Sequence, residues 1–160
     1  KWSVKPLIFG SKLVCKNDEF VIGDFSITVV QANHVCPTVG YIIRSEDLTI
    51  YFAGDTYYGK FMKDISRKYT IDIAMLPVTN YFPPMTMGER GALKCLKDLA
   101  PKFFIPMHQD ISQRFQFTNS AISVEELKSK MVLENLTTKL VSLSNGEIFI
   151  PPVMREATNR

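Results

Sequence analysis

Histidine is scarce in this chain of 160 residues: there are two, His34 and His108, beside one tryptophan and three cysteines. Cys15, Cys36 and Cys95 are odd in number, far apart and contain no Cys-x-x-Cys pair, which excludes a disulfide framework or a zinc ribbon and suits a reducing compartment. His34-Val35-Cys36 could in principle offer two ligands to one metal, although Cys36 reads first as a small apolar residue. No apolar run approaches the roughly 18 residues of a membrane span, and the opening residues do not read as a charged-then-apolar leader. The expectation is a soluble cytoplasmic protein with no membrane association. Strong charge of one sign is also missing. The net charge is +3, and the densest basic cluster, Lys60, Lys63, Arg67 and Lys68, reads as the solvated face of one helix, so nucleic acid is not the expected partner.

What is present is an ordinary globular composition, 46% hydrophobic and 22% charged, at a length that fits one domain with a sizeable core. The first part reads as strands. Lys12 to Cys15 and Glu19 to Ile22 flank an Asn17-Asp18 turn, and from Phe25 apolar residues alternate with Ser26 and Thr28. Val39 to Arg44 and Thr49 to Ala53 form a further hairpin. The second part alternates strand and helix. Tyr58 to Tyr69 has helical spacing, Ile71 to Val78 is a buried strand, and Thr86 to Glu89 has the form of a capping box opening a helix that Pro101 stops. Phe103 to Ile105 is a short strand, Ser123 to Glu126 is a second capping box, and Thr138 to Leu143 pairs with Glu147 to Ile150 around Asn145-Gly146. A single mixed α/β domain is expected over 1–152, with 153–160 a frayed tail.

Three apolar runs each end in a good metal ligand. His34 follows the run from Phe25, Asp55 follows Leu48 to Ala53 through Gly54, and His108 follows Phe103 to Met107. Taken singly, each reads first as a structural residue. Together they offer imidazole and carboxylate, the usual nitrogen and oxygen ligands of zinc and related ions.

In order, Ala32-Asn33-His34, Val39 to Ile43, Ile50 to Thr56 with its Ala53-Gly54-Asp55-Thr56, Asp72 to Pro77 and Pro101 to His108 with its Ile105-Pro106-Met107-His108 resemble the metallo-β-lactamase superfamily over roughly residues 10 to 110. Within it the chain is similar to the metal-dependent hydrolase branch that includes ascorbate-phosphate lactonase-like proteins. The resemblance implies an αββα sandwich, of which this chain is about the C-terminal two thirds. It implies two metal ions, usually zinc, with manganese or iron fitting the same donors. His34 would bind the first metal, Asp55 would bridge both, and His108 would bind the second. A metal-bound water would then attack an ester, lactone or phosphoester bond of a small-molecule substrate. Asn80, Tyr57 and Tyr81 fall where a substrate pocket is expected, with Tyr58 and Phe82 beside them; each is also readable as a plain structural residue.

The superfamily's His-x-His-x-Asp-His loop is missing, and three ligands do not close one tetrahedral zinc site, still less two. The expectation is therefore an incomplete site, finished by a missing N-terminal portion or by another chain; a homo-oligomer is compatible with this. Two other readings stand beside hydrolysis: a non-catalytic half-domain acting as an interaction module, and a nuclease of the same superfamily.

Overall fold

The structure, a computed structural model, describes residues 13–79, 85–108 and 123–152. Among these residues seven strands form one sheet in the order of the chain: β1 (Glu19–Ile22), β2 (Phe25–Gln31), β3 (Val39–Arg44), β4 (Thr49–Phe52), β5 (Ile73–Pro77), β6 (Phe103–Met107) and β7 (Lys139–Leu140). The first four pair antiparallel, β1 with β2 and β3 with β4 across short turns and β2 with β3 through residues 32–38. From β4 onward the pairing is parallel, because a helix separates each strand from the next: α1 (Phe61–Lys68), α2 (Gly88–Leu99) and α3 (Val124–Leu133). No helix among the described residues is long and apolar enough to cross a membrane.

The alternation read from the sequence sorts the strands into two faces. Thr28, Ile42, Tyr51, Ala74, Phe104 and Leu140 stand in register across six strands. Ile42, Tyr51, Ala74 and Phe104 join one core with Phe61, Met62 and Ile65 of α1, Leu93, Leu96 and Leu99 of α2, and Leu127 and Met131 of α3. The helices thus cover a single face. On the other, Ile27, Ile43, Ile50, Ile73 and Phe103 form a second apolar row, and of these only Ile73 is buried. The described residues supply one sheet and one helical layer of the expected sandwich.

Several expectations need correction. Residues 13–15 form no strand; β1 pairs instead with β2 across Gly23-Asp24, where Gly23 takes the positive φ (+56°) that the tight turn requires. Helix α1 is shorter than Tyr58 to Tyr69, because its first turn closes only with the Met62 amide on the Gly59 carbonyl. The capping box at Thr86 does not form. Helix α2 begins after Met87, the Thr86 hydroxyl donates to the Thr79 carbonyl (3.2 Å), and Glu89 pairs with Lys130 of α3 (2.7 Å). Ser123 does cap α3, accepting from the Glu126 amide at 3.0 Å.

The terminal hairpin is also absent. Asn145-Gly146 does make a turn, closed by the Glu147 amide on the Ser144 carbonyl (3.0 Å), but β7 pairs parallel with β6, and Ile148 and Ile150 stay exposed. The expected tail, 153–160, lies outside the described residues.

Candidate metal site

Strand direction gathers the predicted ligands. Strands β2 and β4 both run antiparallel to β3 and so point the same way, while β5 and β6 run parallel to β4. The carboxyl ends of all four therefore open on one sheet edge, where His34, Asp55 and His108 are carried. This is the usual position for a site in a sheet with parallel strands, where loops carry the chemistry on a rigid support.

Each predicted ligand is set by its own local chemistry. Gly54 has φ of +61°, and a Cβ there would lie 3.2 Å from the Val39 carbonyl, so glycine turns the chain sharply into Asp55. The next residue, Thr56, is fully buried. Its hydroxyl accepts the Asn33 amide (2.8 Å) and donates to the Tyr57 carbonyl (3.0 Å), and the Tyr57 amide returns to the Asn33 carbonyl (2.7 Å). These bonds stitch the His34 loop to the Asp55 loop. His108 leaves β6 with φ of +61°, in the left-handed region that few non-glycine residues adopt.

Two of the three predicted ligands meet. The Nε2 of His108 is 3.4 Å from Oδ1 of Asp55, whose side chain is half exposed. Donors bound at about 2.1 Å in a tetrahedron stand about 3.4 Å apart, so this pair has the spacing of one polyhedron edge. The Nδ1 of His108 is buried without a hydrogen-bond partner among the described residues.

His34 stands apart from the pair. Its ring stacks on Tyr57 (centroids 6.2 Å apart, planes 23° apart), and its Nδ1 accepts the Cys36 amide at 3.3 Å. That bond places the neutral ring's proton on Nε2, so ligation through Nε2 requires the proton to sit on Nδ1 instead and the Cys36 bond to break. His34 and Tyr57 line one cleft, and Asp55 and His108 line the next; the two share Pro37 and Thr38. Among the described residues no three His, Cys, Asp or Glu side chains converge tightly enough to hold a metal ion. The donor set fits part of a metal centre.

Asn80 and Tyr81, expected to line a substrate pocket, lie outside the described residues, as does Phe82. Tyr58 is structural. Its hydroxyl donates to Asp98 of α2 at 2.6 Å, which pushes the phenol up to about 12. A separate cavity of about 130 Å³ between β2 and α1, lined by Lys16, Thr28, Phe61 and Lys68 among others, holds none of the predicted ligands. What the sequence reading missed are the buried threonines Thr56 and Thr79. The only signal for them was position, one residue past Asp55 and beside Asn80.

The β-lactamase superfamily domain matches residues 2–108. A metal-dependent hydrolase of Staphylothermus marinus is 38% identical over 121 residues, 76% of this chain and 49% of that protein. Another, of Pyrococcus furiosus, is 40% identical over 109 residues, 68% of this chain and 44% of its own length. The chain thus spans about half the length of the curated relatives it matches. Among solved structures, a metallo hydrolase of Ignicoccus hospitalis superposes with a TM-score of 0.69 at 24% identity, over 84% of this chain and 57% of the other. An isothiocyanate hydrolase from Delia radicum gut bacteria does so with 0.62 at 21%, over 84% and 58%. At these identities the likeness establishes the fold. Sheet, site edge and sequence agree: the chain belongs to the β-lactamase superfamily and shares the fold of the metallo hydrolase it superposes on.

Proposed function

We propose that this chain carries the downstream donors of a metal-dependent hydrolase acting on an ester, lactone or phosphoester bond of a small molecule. The observation that carries the reading is the 3.4 Å approach of His108 Nε2 to Asp55 Oδ1 at the edge where β2, β4, β5 and β6 end. Asp55 and His108 would hold the metal, with His34 added once its ring releases the Cys36 amide. Zinc suits this nitrogen and oxygen set, and manganese or iron is the alternative. A metal bound there would lower the pKa of its water to near neutrality and polarise the bond under attack. Asp55, with two carboxylate oxygens and a half-exposed side chain, presents negative charge to the cleft and is suited to bridge two cations. Tyr57, stacked on His34, forms an aromatic wall against which a substrate can lie.

The remaining donors come, in this reading, from a segment or chain that completes the domain. Support comes from the second sheet face, where Ile43, Ile50, Phe52, Met75 and Ile105 are only half-buried, and from the length of the relatives. Three unpaired cysteines suit a cytoplasmic location. The test is metal analysis of the gently purified chain followed by assay against ester, lactone and phosphoester panels. Weak, substoichiometric zinc on the chain alone, and hydrolysis only when the rest of the domain is supplied, is the expected result. Tight stoichiometric zinc on the chain alone would contradict the incomplete site. The interaction-module reading rests on the same half-buried face, and it gains if the completed domain binds no metal.

A further inference from the structure

We propose that Thr79 is a positioning residue of this site, clamping His108 in the backbone conformation that turns its imidazole toward Asp55; this rests on the reading of Asp55 and His108 as metal donors. His108 sits at φ of +61°, which an L side chain adopts only when its surroundings hold it there. Its ring nitrogen Nδ1 has no hydrogen-bond partner among the described residues. In most metal sites a ligand histidine is oriented through that second nitrogen. Here the described hold on His108 is on its main chain.

Thr79 supplies the hold. It is 2% exposed, follows β5 by two residues, and donates its hydroxyl to the His108 carbonyl. Its own carbonyl accepts the hydroxyl of Thr86, which is 7% exposed and stands just before α2. The Val78 amide also bonds the Met107 carbonyl at 3.1 Å. The end of β6 is thus tied to the end of β5 and to the start of α2. Thr86 stands one residue before the Met87 N-cap of α2, and its side chain turns to Thr79. Without the Thr79 hydroxyl, the 107–108 backbone is free to relax toward negative φ, and the ring leaves the position 3.4 Å from Asp55.

The test uses the fact that the chain has two imidazoles. Their carbon–proton NMR signals, assigned with His108→Gln, are recorded without metal for wild type, Thr79→Ser and Thr79→Val. Zinc affinity of the same full chains is then measured by competition with a chromophoric chelator. Valine, similar in shape but without the hydroxyl, is expected to move the His108 signals, leave those of His34 in place and weaken zinc about 10-fold to 100-fold. Serine is expected to restore both. Wild-type His108 signals and zinc affinity in Thr79→Val would overturn the clamp, as would a serine variant as impaired as valine. Should valine not fold, Thr79→Ala makes the same comparison. Asp55→Asn separates the two ideas: unchanged zinc affinity there removes the metal reading, while the His108 signals still decide the clamp.

Discussion

Replacing Thr56 with valine tests how the two ligand loops are held together. The substitution keeps the shape of a fully buried side chain and removes two hydrogen bonds, one from the Asn33 amide at 2.8 Å and one to the Tyr57 carbonyl at 3.0 Å. A broken bond costs about 1 kcal/mol when its partner recovers water, and up to about 3 kcal/mol when the partner stays buried. Asn33 is exposed, so its amide falls at the low end; Tyr57 is half-buried and its carbonyl falls in between. The sum is about 2 to 3 kcal/mol, a large part of the roughly 5 to 15 kcal/mol expected for a domain. Thr56→Ser keeps both bonds and loses only a buried methyl, worth about 1 kcal/mol. Urea unfolding of the three proteins gives the comparison. Serine should sit close to wild type and valine well below serine. Equal losses in the two variants would refute the reasoning, because the methyl and not the hydroxyl would then be holding the loops.

Further expectations concern the helices and thiols. Tyr58 is held neutral by its bond to Asp98, so its folded pKa lies above the unfolded value of 10.0, at about 12; the stability it contributes is full below pH 10 and lost as pH rises toward 12. The difference in urea midpoint between wild type and Tyr58→Phe should accordingly shrink over that window, and a constant difference up to pH 12 would count against the bond. Burial pushes the Cys95 thiol up, while Cys15 and Cys36 are exposed, so a thiol reagent should titrate two groups promptly and the third only after unfolding. Leu96→Ala, at a fully buried position of α2 in the shared core, should cost about 2 to 5 kcal/mol in the same unfolding assay, and a cost below that of an exposed substitution such as Val132→Ala would mean α2 does not pack as described.

The strands that build the site were legible because their patterns are short-range. Alternation from Phe25 gave β2, the two runs on either side of residues 45–48 gave the β3–β4 hairpin, and the apolar runs at 71–78 and 103–105 gave β5 and β6. The shared edge of the candidate donors followed, since His34, Asp55 and His108 each sit just beyond a strand. What the pattern could not carry was competition for the same group. Thr86 has the sequence of a helix cap, yet α2 starts one residue later, on Met87, and the Thr86 hydroxyl turns to the Thr79 carbonyl, seven residues earlier. Glu147 to Ile150 alternates like a strand, yet it stays unpaired while β7 takes a parallel place beside β6. The clamp on His108 is likewise invisible in sequence, because it joins residues 29 positions apart through one hydroxyl and one carbonyl.

The central claim is that Asp55 and His108 are donors to one metal. Zinc titration of the full chain beside Asp55→Asn and His108→Gln tests it most directly, with thermal melting of all three as the control for folding. Zinc should bind the wild-type chain weakly at one site, and each variant should lose that site while melting near the wild-type temperature. Wild-type zinc binding in both folded variants would contradict the claim and leave the 3.4 Å contact as a structural histidine–carboxylate pair.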